Sequence, residues 1–571
     1  MSAEAAIVLV GDDPAALERL VDAGRRRLNR AGWSRRVDYP YLKVFAPTAG
    51  RLPIVPGFDG HGVLLGELFD SAGAHLGERD LALHATRRLD PAAAEAFVAN
   101  RWGRYVLIRR VRGATAVLRD PSGALEAVVW RKTGVTLVAT AAEAIPEAWL
   151  PDEAGLDWSV IARLAARPGD FRHELGLTGF KPVAAGELRL SGFEGESSRQ
   201  IWKPADIYRQ ARSRPPPDLG GAVRGAVRAL AGDRAWIAEL SGGLDSAIVA
   251  LSLTADQRAR VRAWVNHYVD QPEGDERPWA RSVLAGEHLP LTEVHRSGLQ
   301  LDERRLNASA GGFRPAINDI DPDYNDDIAE RVERSGAWGS MTGQGGDAVF
   351  FQMVSLLIAF DELHERSWRF RLGAIHRLGR WLRRSVWPGD WVRTWVEHRR
   401  DRATWDHPWL DDLRGVPPAK AGQIATLAFC QTFQGPAVRS RSGPCVNPLL
   451  SQPVLEAGLA WSAVDLTWGG RDRAAARAAF ADVLPPAILE RRSKGELGAY
   501  YGQAVADRLP FLRDYLLGGA LAEAGLIARS LEARMSREAL LWRGGYSELL
   551  SLALTEAWVR RWRSRLQRRR T

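Results

Sequence analysis

One short loop constrains the fold of this chain more than any other feature. The apolar segment from Trp236 to Leu240 predicts a buried strand, and the loop Ser241-Gly242-Gly243-Leu244-Asp245-Ser246 follows it directly. Ala247 to Leu253 then has the pattern of a helix, and Val261 to Tyr268 predicts another strand. A strand, a helix and a strand at this spacing form a βαβ unit, so the sequence predicts a parallel sheet covered by helices.

The loop contains the residue types of a phosphate-binding site. Between a parallel strand and a helix start, backbone N–H groups point outward and the helix dipole favours an anion. Gly242 and Gly243 let the backbone approach closely, and the hydroxyls of Ser241 and Ser246 add donors. Asp245 would repel phosphate unless a cation lay between them, so we expect it to bind magnesium. The lysine of a Walker A loop is absent, which disfavours γ-phosphoryl transfer.

The residues around this loop resemble a known signature. The segment Glu239-Leu240-Ser241-Gly242-Gly243-Leu244-Asp245-Ser246 is similar to the pyrophosphate loop of the asparagine synthetase family. The resemblance implies an α/β ATPase domain in which ATP and Mg2+ bind at this loop, with Leu240 among the nucleotide-contacting residues. It also implies the chemistry: ATP is cleaved between its α and β phosphates, a carboxylate becomes an acyl-adenylate, and an amine attacks it.

A second glycine-rich segment extends the resemblance. Thr342-Gly343-Gln344-Gly345-Gly346-Asp347 is similar to the family's loop that ends in an acid. The resemblance implies that Gly343 and Gly345 lie at the nucleotide and that Asp347 joins Asp245 on the metal. Two carboxylates, waters and phosphate oxygens suit an octahedral magnesium ion. Gln344 departs from the family, which often carries an acid or a tyrosine there, so we expect no base at this position.

A third segment provides the candidate catalytic residue. Leu484 to Gly495 resembles the family segment that carries a lysine near the nucleotide phosphates. The resemblance implies that Lys494 neutralises the charge that develops during adenylation and amine attack. Other residues that it places around the cleft, or beside this lysine, are Arg491, Arg492, His267, Asp275 and Glu276.

Composition limits the remaining possibilities. The 571 residues exceed one ordinary core and predict two or more domains. The net charge of +9 and the sequence pI of about 9.8 fit either an anionic partner or solvated basic faces. The two cysteines, Cys430 and Cys445, form no disulfide framework, and Cys445 is interpreted as structural within a turn from Gly443 to Leu450. No signal peptide or apolar run of roughly 20 residues is present, so we expect a cytoplasmic protein.

The chain divides into segments of different character. Short apolar stretches separated by Gly and Pro predict antiparallel hairpins in residues 1–207, with helices at Pro14 to Asn29 and Trp158 to Ala166. Together they predict an α+β domain. Residues 208–218 are polar and end in three prolines, which predicts a non-helical linker. Residues 219–571 then form the nucleotide-binding domain, with a helical C-terminal region.

The first domain carries a resemblance of its own. Gly66 to Asp70 and Arg119 to Gly123 are similar to parts of the family's glutamine-hydrolysing domain, which implies an Ntn-type αββα fold. Such domains use a cysteine at the mature N-terminus as nucleophile, whereas position 2 is Ser2 and neither cysteine is near the start. We therefore expect a vestigial scaffold that produces no ammonia.

The attacking amine then belongs to the substrate, and two features favour a peptide. Leu363 to Trp409 is predicted to be helical and rich in Arg and Trp, which suits an extended peptide, although a helical subdomain with a Trp-rich core explains it equally well. Length and composition resemble lasso-peptide cyclases. That resemblance implies an isopeptide bond between the N-terminal amine of a precursor core peptide and an Asp or Glu side chain, with a leader peptidase and a leader-binding protein as partners.

The sequence is also compatible with other functions. A glutamine-independent asparagine synthetase or a β-lactam synthetase-like ligase would use the same loop on a small substrate. The basic run from Arg560 to Arg570 fits either nucleic acid or simple solvation, but no nucleic-acid-binding motif accompanies it, so we expect no specific nucleic acid. A non-catalytic homologue is disfavoured because Asp245, Asp347 and Lys494 are all present.

Overall fold

The computed structural model describes residues 2–77, 89–111, 113–167, 173–192, 195–285, 289–352, 355–365, 376, 379, 387–402, 404–492, 495–527, 531–532 and 535–570. Across those ranges, no helix combines the length and the apolar character needed to cross a bilayer.

The N-terminal half consists of two large antiparallel sheets, a separate two-stranded sheet formed by Gly155–Leu156 and Leu177–Thr178, and flanking helices. Its strands are β1 (Ile7–Val10), β2 (Trp33–Tyr39), β3 (Leu42–Pro47), β4 (Ile54–Gly57), β5 (Gly62–Asp70), β6 (His75–Leu76), β7 (Arg101–Val111), β8 (Ala114–Arg119), β9 (Val128–Lys132), β10 (Val135–Ala139), β11 (Gly155–Leu156), β12 (Leu177–Thr178), β13 (Lys181–Pro182), β14 (Glu187–Gly192) and β15 (Gly195–Gln200). Its helices are α1 (Pro14–Arg30), α2 (Pro91–Asn100), α3 (Trp158–Ala166) and α4 (Pro204–Ala211).

The two large sheets pack face to face. One has the order β13-β9-β10-β1-β3-β2 and the other β15-β14-β8-β7-β5-β4, with β6 beside β5. In β1, Val8 faces the opposite sheet, whereas Ile7 and Leu9 face helix α1, so the whole strand is buried. Helix α2 packs Phe97 on the outer side of the second sheet. The layers therefore follow the predicted αββα order.

The second half is built on a parallel sheet. Its strands are β16 (Trp236–Glu239), β17 (Val261–Tyr268), β18 (Leu291–His295), β19 (Gly339–Met341) and β20 (Cys445–Val446). Its helices are α5 (Leu219–Ala231), α6 (Leu244–Ser252), α7 (Ala255–Ala259), α8 (Arg277–Leu284), α9 (Glu303–Ser309), α10 (Pro322–Ser335), α11 (Gly346–Val349), α12 (Leu357–Glu365), α13 (Pro388–Arg402), α14 (Pro418–Phe429), α15 (Gln452–Ala460), α16 (Ala463–Leu466), α17 (Ala474–Ala479), α18 (Pro486–Leu489), α19 (Gly498–Ala506), α20 (Leu509–Leu517), α21 (Ala520–Glu523), α22 (Arg537–Arg543) and α23 (Tyr546–Arg570).

The order of this sheet brings two loops together. The strands run β18-β17-β16-β19-β20 and every pair is parallel. Because β16 and β19 are neighbours, the loops that leave their carboxyl ends lie side by side, where open α/β sheets bind ligands. The predicted βαβ unit is confirmed, although α6 begins at Leu244, three residues earlier than expected. Within the predicted turn from Gly443 to Leu450, Cys445 and Val446 form strand β20, so Cys445 is part of the sheet, in agreement with its expected structural role.

The predicted non-helical linker is also wrong in part. Helix α4 continues through Ala211, because its partly buried face packs on the second half of the chain. The hydroxyl of Tyr208 donates to Glu365 at 2.7 Å, and Arg209 donates to the carbonyl of Asp412 at 3.1 Å. Without those contacts the polar sequence gives little reason for a helix. Only the proline-containing part after Ala211 is irregular, up to the α5 cap at Asp218.

The basic C-terminal run is not simply solvated. Helix α23 buries Trp558 and Trp562, and the indole N–H of each donates to the carbonyl of Gly312 at 3.0 Å. Arg565 is buried and donates to the carbonyl of Ala142, in the N-terminal half, at 2.8 Å. Arg565, one of the basic residues of this run, therefore joins the last helix to the first domain through a hydrogen bond.

Candidate active site

The two glycine-rich loops meet at very close range. A Cβ atom on Gly343 would lie 2.5 Å from the backbone nitrogen of Ser246, and one on Gly346 would lie 2.5 Å from the carboxyl carbon of Asp245. Gly345 has a φ of +90°, a conformation that side chains disfavour. The glycines are thus required for the second loop to lie against the start of α6.

The loops line a cavity of about 240 Å³. The predicted site residues on its wall are Ser241, Gly243, Asp245, Ser246, Gly343 and Asp347. The hydroxyls of Ser241 and Ser246 lie 3.1 Å apart, and the N–H of Gly243 donates to Ser241 at 3.2 Å. Three further predicted residues shape this region without lining the 240 Å³ cavity: Leu240, Gly242 and Gly345. Most of the residues assigned to nucleotide binding are therefore brought to one concave surface.

The carboxylates of Asp245 and Asp347 both contact the guanidinium group of Arg473, a residue that no sequence motif indicated. Nη1 of Arg473 lies 2.9 Å from an oxygen of Asp245 and 2.9 Å from an oxygen of Asp347. Arg473 is buried, and its Nε donates to Asp472 at 2.9 Å. Its position could be found only from the folded chain, because it lies 126 residues from Asp347.

The carboxylate pair fits a magnesium ion that completes its coordination with phosphate. Asp245 lies in the first turn of α6 and Asp347 in the first turn of α11. Both carboxylates already pair with one cationic group, the guanidinium of Arg473. Across the described ranges, no group of three or more His, Cys, Asp or Glu side chains forms a metal site. Magnesium commonly uses one or two carboxylates together with waters and substrate phosphates, so two protein ligands are sufficient.

Two further positive charges line the cavity. Arg477 and Arg491 line it with Arg473. Arg477 is held by Asp472 and by the carbonyls of Ile488 and Leu489, whereas Arg491 donates to the carbonyl of Gly242 at 2.9 Å. Such fixed guanidinium groups suit phosphate oxygens. Arg491 was expected only in a supporting role, and no sequence motif indicated Arg477.

The predicted catalytic lysine cannot be placed. Lys494 lies outside the described residues, so its role stays a prediction. The flanking chain does cross the site: Arg491 pairs with Glu276 at 2.8 Å, and the N–H of Gly495 donates to the same carboxylate at 3.1 Å. Asp275, in contrast, pairs with Arg277 at 2.8 Å and lines neither this cavity nor the one beside it.

A second cavity, of about 700 Å³, adjoins the first. The two share walls formed by Glu239, Ser241, Glu276, Tyr324 and Gln344. His267 also lines the larger cavity; its Nε2 lies 2.9 Å from Asp327, and its ring packs edge-on against Tyr324. Gln344 thus lies where the resemblance placed a base or substrate contact, without a group that could act as a base.

An acid nevertheless lies on the shared wall. Glu239 accepts a hydrogen bond from the hydroxyl of Tyr324, and its other oxygen is 3.6 Å from Arg439. Burial raises the pKa of Glu239, while Arg439 and His267 oppose that shift. An acid in a strand predicted to be buried could have indicated Glu239 from the sequence. Its partners could not be predicted, because Tyr324 and Arg439 are 85 or more residues away.

Position 2 has no exposed nucleophile. Ser2 is buried, and its hydroxyl accepts from the N–H of Glu4 at 3.2 Å. Glu4 pairs with buried Arg104 at 2.8 Å, and Arg104 also faces Glu67 at 3.6 Å. The charges around this position are therefore compensated by one another.

The comparison with known proteins is most informative for the second half of the chain, where a family model matches. The asparagine synthase family model matches residues 218–560. No curated protein matches the chain. Among solved structures, the allosteric regulatory enzyme of purine biosynthesis is 13% identical, with 51% of this chain and 79% of that one covered and a TM-score of 0.22. Glutamine phosphoribosylpyrophosphate amidotransferase from B. subtilis is 11% identical, with 59% and 81% covered and a TM-score of 0.22. Likeness at that score does not define a fold.

Substituting Gly343 tests the loop contact. We expect Gly343→Ala to weaken ATP binding about 5- to 150-fold, because overpacking of about 1–3 kcal/mol would push the second loop off Ser246. Gly225→Ala, in the middle of α5 with open space around its Cβ, is the control. Titration with a fluorescent ATP analogue measures both variants. Equal affinity of Gly343→Ala and the unsubstituted protein would contradict the proposed packing.

Proposed function

The chain belongs to the asparagine synthase family, and on that premise we propose that it activates a carboxylate with ATP as an acyl-adenylate and joins it to an amine. One observation carries the proposal: a small cavity lined by loops, guanidinium groups and four acids opens beside a larger cavity, with five residues on the common wall. The first cavity would hold the phosphates of ATP and the second the acyl substrate, so the α-phosphate would lie near that wall.

The residues of the small cavity have separable roles in this proposal. Backbone N–H groups at the start of α6 and the hydroxyls of Ser241 and Ser246 would bind phosphate oxygens. Asp245 and Asp347 would hold Mg2+, which neutralises phosphate charge when bound. Arg477 and Arg491 would stabilise the charge that collects on the leaving pyrophosphate. Lys494 keeps the role that the family resemblance implies.

Glu239 is the group best placed to take the proton from the attacking amine. It lies on the wall shared by the two cavities, and Tyr324 orients it. A pKa raised by burial brings a carboxylate closer to the range in which a general base works well. Gln344 has no such capacity, since its amide neither accepts nor releases a proton at ordinary pH.

For the substrate, we propose a peptide that is closed into a macrolactam, as in lasso-peptide cyclases. The larger cavity falls within the roughly 300–1,000 Å³ of sites that hold drug-sized ligands. Phe429, 39% exposed, borders both this cavity and a third one of about 600 Å³ beneath helix α13. The two cavities together provide more volume than a single amino acid needs, which favours a larger substrate such as a peptide. Leader peptidase and leader-binding protein remain proposed partners.

The Arg/Trp-rich region from Leu363 to Trp409 supports a peptide substrate only in part. Trp368, Trp381, Arg383 and Arg384 lie outside the described residues. Trp405 packs partly buried against the core, as a Trp-rich subdomain requires, whereas Trp387 is 69% exposed, as a binding surface would allow. Both interpretations of the region therefore retain support.

The reaction is tested with the full chain, Mg2+, ATP and a synthetic peptide that has a free N-terminal amine and an internal Asp or Glu side chain. We expect AMP and pyrophosphate, together with a peptide that has lost one water and its free N-terminal amine. The same peptide with an acetylated N-terminus is the control and should give no cyclic product. Formation of ADP would contradict adenylation. Release of AMP with aspartate and ammonia, but not with the peptide, would favour the alternative of a glutamine-independent asparagine synthetase.

Replacing Glu239 separates the two chemical steps. In Glu239→Gln we expect peptide-dependent exchange of pyrophosphate into ATP to stay within a few-fold, while amide formation falls about 100-fold or more, the usual contribution of a general base. In the unsubstituted protein, amide formation should decline as the pH falls through the raised pKa of Glu239, and the variant should lack this decline. Asp275→Asn, outside both cavities, is the control. Equal loss of exchange and amide formation would contradict the role.

A further inference from the structure

The Arg473 side chain occupies the point at which the two predicted metal ligands meet. One nitrogen of its guanidinium lies at hydrogen-bond distance from both Asp245 and Asp347. Its side chain is only 8% exposed, whereas that of Asp347 is 43% exposed, so the carboxylate is reachable from the cavity although the guanidinium is enclosed. A divalent cation on the same two oxygens would have to compete with this group.

The backbone at Arg473 is held in an uncommon conformation. Its φ and ψ are 52° and 33°, in the left-handed region that side chains other than Gly, Asn and Asp seldom adopt. Its N–H donates at 3.3 Å to the carbonyl of Phe351, which also has a positive φ, of 65°. One hydrogen bond thus joins two residues with disfavoured backbone conformations, Arg473 and Phe351, and Phe351 lies four residues beyond Asp347. Such concentration of strain is typical of functional positions.

We propose that Arg473 is an internal counterion that exchanges with magnesium. Without nucleotide, its guanidinium bridges Asp245 and Asp347 and keeps a free divalent cation off them. When ATP brings the ion, the two carboxylates would bind the metal, and Arg473, which lines the same cavity, would turn to the phosphates of the nucleotide. The protein then binds magnesium as the nucleotide complex rather than before it.

The charges explain why this exchange needs the nucleotide. A guanidinium and a hydrated divalent cation repel one another at the same pair of oxygens, and a buried cation without its partners is strongly disfavoured. Phosphate supplies new acceptors for the displaced guanidinium and further oxygens for the metal. Asp472, which binds Nε of Arg473, keeps the side chain within this region during the exchange.

The proposal is tested by Mn2+ binding to the full chain without nucleotide, measured by electron paramagnetic resonance. We expect weak binding to the unsubstituted protein and at least tenfold tighter binding to Arg473→Gln. Arg473→Asn provides a second variant, because asparagine tolerates the left-handed backbone. Arg477→Gln is the matched control: it also removes a buried charge from the cavity, but Arg477 is held by Asp472 and backbone carbonyls, so a clearly smaller gain is expected.

Two outcomes would overturn the proposal. One is Mn2+ affinity in both Arg473 variants that does not exceed that of the Arg477 control. The other is a gain that persists when Asp347→Asn is added to Arg473→Gln, because the ion would then bind elsewhere. The measurement requires no turnover, so a chain that forms no amide could still confirm it, and an active enzyme could still contradict it.

Discussion

The pairing of β16 with β19 is the contact on which the candidate site depends. These short parallel strands place the serine- and glycine-containing loop and the second glycine-rich loop side by side. Glycine at 343 and 346 then lets the loops approach until no side-chain atom fits between them. A single added methyl group at this contact would separate the carboxylates, the hydroxyls and the helix start that together form the anion site.

Charge balance explains much of the remaining architecture. The cavity places Arg473 beside Asp245 and Asp347, and Arg491 beside Glu276, and buried guanidinium groups of this kind are stable only when they are paired and hydrogen-bonded. A ligand as highly charged as ATP with its metal would replace some of these pairs with equivalent ones. Arg473 is the clearest case, since it already compensates the two acids to which the metal would bind.

The sequence predicted what local chemistry determines. The loop after β16, the acid at 347, the βαβ order and helix α1 all follow from residue types at short spacing, and the structure has them. Long-range neighbours could not be predicted. Helix α4 exists because Tyr208 and Arg209 reach the second half of the chain, and β20 forms because β19 offers it an edge. The pairing of Glu239 with Tyr324 and the bridge through Arg473 likewise depend on tertiary structure alone.

The central claim is that a carboxylate oxygen attacks the α-phosphate of ATP. It is tested most directly by labelling the substrate carboxylate with heavy oxygen and following the label during one round of amide formation. An acyl-adenylate requires that one labelled oxygen leave with AMP, whose mass should rise accordingly. Label found in inorganic phosphate instead, with ADP as the nucleotide product, would show an acyl-phosphate and contradict the account.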